Sequence, residues 1–189
     1  FNVRMLTGQL GDGTLQANDN GRKLYSTIAF AVPFTLQIAL FPFLCELVDR
    51  KDKEKLGEVL ATSSRMMLAL FVPGSILLAL LAEPITTVLF LHGKFELQVA
   101  DWTTVSIACY TLVLPAQAIE MVLMQGFFAN RKTVSVTVIG IVFSLISVSI
   151  SYYFIAIMKV SGAEALMAVA LGFVLSRILK SITLALVLK

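Results

Sequence analysis

Five ionisable side chains lie within or at the ends of long apolar runs, where a charge is costly unless it is used. They are Arg22, Lys23, Glu120, Arg177 and Lys180. On membrane-insertion scales such a group costs about 2.5 kcal/mol or more, and it usually faces a bundle interior or an aqueous cavity. Their chemical types indicate anion binding or internal ion pairing rather than bond-making chemistry.

The other reactive residue types do not form a catalytic or metal-binding pattern. His92 is the single histidine, and Cys45 and Cys109 have neither a zinc-site spacing nor a disulfide framework. A GxGxxG motif does not occur, and "GDG" lacks the strand–loop–helix setting of a phosphate-binding loop. We therefore expect no catalytic residue, no metal and no enzymatic activity in this chain, although an active site on sequence outside it stays an alternative.

The composition indicates a membrane protein. Of 189 residues, 58% are hydrophobic and 14% are charged, and the mean hydropathy is +0.88. A soluble domain has about a quarter of its residues charged. The net charge of +3 comes from cations that flank apolar runs, which does not indicate a nucleic-acid partner. We expect an all-α fold, a polytopic integral membrane helical bundle.

Five apolar segments have the length of about twenty residues that a membrane crossing requires. The third segment is longer than a straight crossing needs at about 1.5 Å per residue, so it is expected to tilt or bend at Pro115. Pro84 is expected to kink or interrupt the second segment. The predicted spans are residues 24–44, 66–90, 102–129, 134–158 and 163–188.

The cations between these spans predict the orientation of the chain. Cytoplasmic loops carry an excess of Lys and Arg, so the loops after the first and third spans are expected in the cytoplasm. Arg22 and Lys23 then lie at the outer end of the first span, on the side where cations are scarce. The basic residues at the two expected cytoplasmic loops are Arg50, Lys51, Lys53, Lys55, Arg65, Arg131 and Lys132.

Arg22 and Lys23 have two interpretations. The ordinary one is that their long side chains reach the interface while their stems stay in apolar surroundings. The alternative is that they bind an anion, which their place on the cation-poor side favours. The polar residues just before them, in "NDNG", indicate that the first span begins earlier and carries polar groups inward.

Glu120 lies about nine residues, or some 14 Å, from the expected cytoplasmic end of the third span. Arg177 and Lys180 lie one helical turn apart on the fifth span, at a depth that could match it. A Glu120–Arg177 ion pair would lower the cost of burying both charges. The alternative is that Arg177 and Lys180 extend separately to the cytoplasmic surface.

Several motifs occur in the order and approximate spacing of one known family. They are "RMLTGQLGDGT", "GRKLY", "LFP", "AEPITTVLF", "LFLHGKF" and "CYTLVLPAQAIEMVLMQGFFA". In this order they resemble the second half of the lipid II flippases (the MurJ or MviN family) within the multidrug, oligosaccharidyl-lipid and polysaccharide exporter superfamily. The resemblance covers essentially all 189 residues, as part of the C-terminal half from the end of helix seven to helix twelve of fourteen.

The resemblance implies a transporter in the bacterial inner membrane rather than an enzyme. Such a protein moves the undecaprenyl-diphosphate-linked peptidoglycan precursor, lipid II, between leaflets by alternating access. Its partners would be this lipid-linked precursor, the membrane lipids and the N-terminal half of the same transporter. The alternatives are an exporter of another lipid-linked oligosaccharide or of amphiphilic drugs, and a non-transporting membrane scaffold of the same fold.

The resemblance also implies which residues bind the diphosphate. The family's helix eight carries an Arg in the pattern Asn-Tyr-Ala-x-Arg-Leu. Aligned without gaps, this pattern reads "DNGRKL" and places the Arg column on Lys23, with Arg22 one position earlier. Lys supplies the charge of Arg without its bidentate fork. Lys23, helped by Arg22 and Arg4, is therefore expected to attract the diphosphate, and anion binding becomes the favoured interpretation.

Two departures from the family pattern bear on coupling and substrate. The acidic position that the family offers for cation coupling falls on Val3, so coupling to a monovalent cation is open but disfavoured, and no cofactor is expected. Helix eleven of the family usually carries Asn residues, where this sequence has Ser144, Ser147, Ser149 and Ser151. These departures leave room for a divergent relative with another lipid-linked substrate.

Overall fold

The computed structural model describes residues 13–90, 97–157 and 163–188, and these ranges are helical apart from short turns. No strand occurs in them, which confirms the predicted all-α fold. The helices are α1 (Thr14–Asp49), α2 (Lys53–Leu80), α3 (Ala82–Phe90), α4 (Leu97–Thr111), α5 (Leu114–Ala129), α6 (Thr133–Tyr152, continued by a π-helical turn Tyr153–Ile157) and α7 (Ala163–Leu188).

Four of these helices, α1, α2, α6 with its π-helical turn, and α7, are long and apolar enough to cross a membrane. Helices α4 and α5 are long and apolar enough only when taken together, and they meet at an angle of 42°. Counted as one broken span they bring the total in the described ranges to five. This angle confirms the predicted bend near Pro115. Pro115 lies in the first turn of α5, where the backbone N–H that proline lacks would have no partner within the helix.

The second predicted segment is divided between α2 and α3. Helix α2 ends at Leu80 and α3 begins at Ala82, so the interruption precedes Pro84, which lies in the tolerated first turn of α3. Pro73 lies inside α2 and removes one backbone donor from it. The interruption at Leu81 therefore places Pro84 at the start of a helix, where proline is tolerated.

Short turns connect α1 to α2 and α5 to α6. Asp52 caps α2, and its side chain accepts a hydrogen bond of 3.1 Å from the backbone N–H of Lys55. Lys51 and Arg131 each adopt φ +58°, the left-handed conformation that ends a helix and that glycine normally provides. Both turns therefore place a basic residue at a strained position.

Helix α5 lies at the centre of the bundle and packs against α1, α2 and α7. Most of its side chains are buried, among them Val122 and Phe127. Helix α6 packs mainly against α7 and exposes a wide apolar face, which includes Val138, Ile141 and Leu145. This contrast is typical of a membrane bundle, whose outer helices contact lipid, and the chain is a multi-pass membrane protein.

Helices α1 and α4 approach each other closely at Gly21. A Cβ atom there would lie 2.9 Å from the backbone carbonyl carbon of Ser106. Small residues allow such close backbone contact between membrane helices. This close contact holds α1 against α4 at Gly21, the residue directly before Arg22.

Candidate functional site

A cavity of about 280 Å³ lies between α1, α4, α6 and α7. Its wall combines cations, hydroxyl groups and aromatic rings. The lining residues are Arg22, Tyr110, Gly140, Phe143, Ser144, Ser147, Val148, Val169, Phe173, Ser176, Arg177 and Lys180.

Three cationic side chains of the described ranges reach this cavity from two helices. Arg22 comes from α1, and Arg177 and Lys180 come from α7. In the described ranges no carboxylate lies within ion-pair distance of Arg22. The cavity therefore presents an unneutralised guanidinium together with two further cations.

Glu120, on α5, binds both α7 cations. The Nη1 group of Arg177 donates to the two carboxylate oxygens at 2.8 and 2.7 Å, and Nζ of Lys180 donates to Oε1 at 2.6 Å. The Glu120 side chain is 2% exposed, against 27% for Arg177 and 13% for Lys180. The carboxylate is thus buried behind the cations and does not line the cavity.

Helix α7 is held against its neighbours around these cations. The hydroxyl of Ser181 donates to the carbonyl of Ala116 on α5 at 2.9 Å. The hydroxyl of Ser176 donates to the carbonyl of Phe143 on α6. The guanidinium of Arg177 lies 5.0 Å from the centre of the Phe173 ring, within the range of a cation–π interaction. These contacts restrict the positions of both α7 cations.

An aromatic cluster joins α1, α4 and α7 at one side of the cavity. The rings of Tyr25 and Tyr110 stack 6.1 Å apart, and Phe173 contacts both edge to face. Each tyrosine hydroxyl donates across helices, Tyr25 to Gln117 at 3.0 Å and Tyr110 to Asn18 at 2.8 Å. The polar groups of this wall are therefore paired, which favours a rigid cavity.

The structure separates the two adjacent cations of the first span. Arg22 and Lys23 are both exposed on α1, but only Arg22 lines the cavity. Adjacent positions on a helix point about 100° apart, so the two side chains cannot share one wall. Arg4, the third residue expected at the diphosphate, lies outside the described residues.

The structure brings Glu120, Arg177 and Lys180 together in one cluster. Residues that sequence reasoning did not assign to a site include Tyr110, Phe173 and Ser176. Ser144 and Ser147 were noted only as departures from the family pattern, yet both line the cavity. Their spacing of three places them on one helix face, which is the signal that could have identified them.

The geometry suits binding of an anion rather than a metal ion. In the described ranges no three His, Cys, Asp or Glu side chains are grouped so that they could hold a metal. The cavity offers guanidinium, ammonium and hydroxyl donors instead. Arginine and lysine donors of this kind recognise phosphate groups.

Comparison with known proteins gives a consistent match. A family model described as lipid II flippase MurJ matches residues 7–188. A probable lipid II flippase MurJ of Bdellovibrio bacteriovorus is 32% identical over 136 residues, which cover 72% of this chain and 25% of that protein. One of Haemophilus influenzae is 29% identical over 106 residues, 52% of this chain and 21% of that protein. The chain spans about a quarter of the length of these curated relatives.

Proposed function

This chain belongs to the lipid II flippase MurJ family, and from that premise we propose that it is part of a transporter for a lipid-linked peptidoglycan precursor. The transporter would lie in the bacterial inner membrane and would carry the precursor from the inner to the outer leaflet. The relatives that match are named as probable lipid II flippases. The substrate proposed for this chain, lipid II, is the one that appears in the names of these relatives.

The observation that carries the proposal is the cationic cavity. Arg22, Arg177 and Lys180 line a space of about 280 Å³ that is bordered by four helices. A diphosphate is the polar group that joins the sugar and the lipid of such a precursor. In surroundings of low dielectric constant, attraction between these cations and a diphosphate is stronger than in water.

Each part of the cavity has a role in this proposal. Arg22 would contact the diphosphate directly, since its guanidinium has no carboxylate partner in the described ranges. The hydroxyl groups of Ser144 and Ser147 would donate to phosphate or sugar oxygens. No covalent bond would be made or broken, so the protein would act as a transporter and not as an enzyme.

Transport would require the other half of the protein. In the general scheme for transporters with two related halves, the halves rock about a binding site near the middle of the membrane. The chain described here would supply one wall of that site, and an N-terminal half of the same protein would supply the other.

The charge of the cavity favours an anionic lipid over a cationic amphiphilic drug. A drug exporter would need acidic side chains that face the ligand. Among the described residues that line the cavity none is acidic, and Glu120 is turned away and occupied by Arg177 and Lys180. A lipid-linked oligosaccharide other than lipid II would share the diphosphate and would suit the same cavity.

Complementation of a strain depleted of its own flippase tests this proposal. We expect Arg22→Ala in the full-length protein to abolish growth, because it removes the unpaired cation of the cavity. Lys23→Ala is the matched control, since it removes an equal charge from the next residue, outside the cavity. Membrane abundance of each variant is measured by immunoblot. Normal growth with Arg22→Ala at normal abundance would contradict the proposal.

A further inference from the structure

We infer that Glu120 is a positioning residue that sets the charge of the cavity for an anion with two negative charges, an inference that rests on the proposed function. Glu120 does not touch the cavity itself. It acts through Arg177 and Lys180, to which both of its carboxylate oxygens are bound. Its role is thus distinct from that of the side chains that contact a ligand.

The hydrogen-bond geometry leaves the two cations available to a ligand. Arginine has five N–H donors on three nitrogens, and lysine has three on one nitrogen. Arg177 uses only Nη1 to bind Glu120, and Lys180 makes one bond to it. Both residues also line the cavity. Glu120 therefore holds them from behind, and their remaining donors are free to face an anion.

Glu120 also determines the sum of the charges. Among the described residues, the cavity wall carries three cations, Arg22, Arg177 and Lys180, and the buried carboxylate neutralises one of them. Two positive charges remain. A diphosphate that is esterified at both ends carries one negative charge on each phosphate, as phosphodiesters do. The net charge of this wall is therefore equal in size and opposite in sign to the charge of this class of ligand.

The net charge of this wall matters because a transporter must release what it binds. A wall with three uncompensated cations would hold a dianion more tightly and slow its departure. A wall with one would distinguish a diphosphate from a monophosphate less well. In a partly dehydrated cavity one unit charge at a few ångströms changes affinity by about tenfold or more. Glu120 would keep the site between these limits.

The test compares two ligands on the purified full-length protein. The probes are a short-chain prenyl-diphosphate sugar, with two charges, and the matching prenyl-monophosphate sugar, with one. We expect Lys180→Gln to reduce the preference for the diphosphate by about tenfold, because one cation is lost. We expect Glu120→Gln to bind the diphosphate about tenfold more tightly and to transport the lipid-linked precursor more slowly in vesicles.

The decisive variant combines Glu120→Gln with Lys180→Gln, which restores two positive charges. Its preference for the diphosphate and its transport rate should return towards the wild-type values. A purely structural role for Glu120 predicts the opposite, because the double variant has lost both ion-pair groups. Failure of the double variant to recover, at an unfolding temperature equal to that of Lys180→Gln, would overturn the inference.

The two proposals fail in different ways. If the wild-type protein binds neither probe, or if Arg22→Ala does not weaken binding, the proposed function fails and this inference falls with it. If the wild type binds the diphosphate and Arg22→Ala weakens it, but the double variant does not recover, only the role of Glu120 is wrong. If Glu120→Gln does not fold, the preference measured with Lys180→Gln and with the double variant still decides the question.

Discussion

The part of the chain that the structure describes contains two groups of ion pairs that are alike in distance and opposite in surroundings. Arg50 and Glu46 form a pair of 2.6 Å at the end of α1, with side chains 71% and 54% exposed. Glu120 meets Lys180 at the same 2.6 Å and Arg177 at 2.7 Å, but it is almost wholly buried. The first pair lies within one helix, whereas the second group joins α5 to α7.

The distance between the two charges of an ion pair therefore says little about how much the pair stabilises the fold. An exposed pair one turn apart on a helix gains little, since water solvates each charge equally well when the pair is broken. A buried carboxylate has no such alternative, and removal of a partner leaves a charge without compensation. Mutation of the buried group is therefore expected to destabilise the fold strongly, and mutation of the exposed pair to destabilise it little.

The largest effect is expected from Glu120→Ala. It leaves two cations in a cavity wall with no carboxylate, and loss of one partner of a buried pair costs about 3–5 kcal/mol. Unfolding of the purified full-length protein by titration with a denaturing detergent would measure the loss. A change as small as that of an exposed pair would show that water in the cavity solvates Arg177 and Lys180 fully.

Smaller losses are expected from Arg177→Ala and Lys180→Ala made singly. In each variant Glu120 keeps one cationic partner. Each loss of unfolding free energy should therefore be about 2 kcal/mol, the value of a hydrogen bond to a charged group. Arg177→Ala should be the more harmful, because Arg177 also binds both carboxylate oxygens and contacts the Phe173 ring. The same unfolding measurement applies. Losses as large as that of Glu120→Ala would mean that a single cation does not compensate the carboxylate.

The smallest effect is expected from Arg50→Ala or Glu46→Ala. Exposed pairs of this spacing contribute about 0.3–0.5 kcal/mol, and salt screens them further. The unfolding free energy should therefore change little at low salt and not measurably at 1 M salt, where the Debye length is about 3 Å. A loss that persists at high salt would remove the contrast between the two groups of ion pairs.

Much of the fold was predictable because membrane crossing imposes strong constraints on sequence. Apolar length predicted the helical bundle, and Pro115 predicted the bend between α4 and α5. The separation of α3 from α2 at Leu81 was less predictable. Pro84 fits the first turn of a new helix, but its presence does not show at which residue the preceding helix ends. Helix ends depend on packing as well as on local sequence.

The site was predictable where a charge was out of place. Glu120, Arg177 and Lys180 were identified because charges in apolar runs are rare. Both Arg22 and Lys23 were predicted to bind the diphosphate, but the sequence could not tell which of them lines the cavity. That depends on the packing of α1 against α4 at Gly21. Residues such as Ser176 were missed because a serine hydroxyl can bond within its own helix at little cost, and so does not stand out.

The two strained turns have a consequence for how the protein is made. Lys51 and Arg131 both adopt φ +58°, at a cost of about 1–2 kcal/mol each that glycine would avoid. A glycine, however, would remove a cation from each of the two loops expected to stay in the cytoplasm. We therefore expect the folded protein to retain a conformational penalty at positions whose charge would act earlier, when the nascent helices are oriented during their insertion into the membrane.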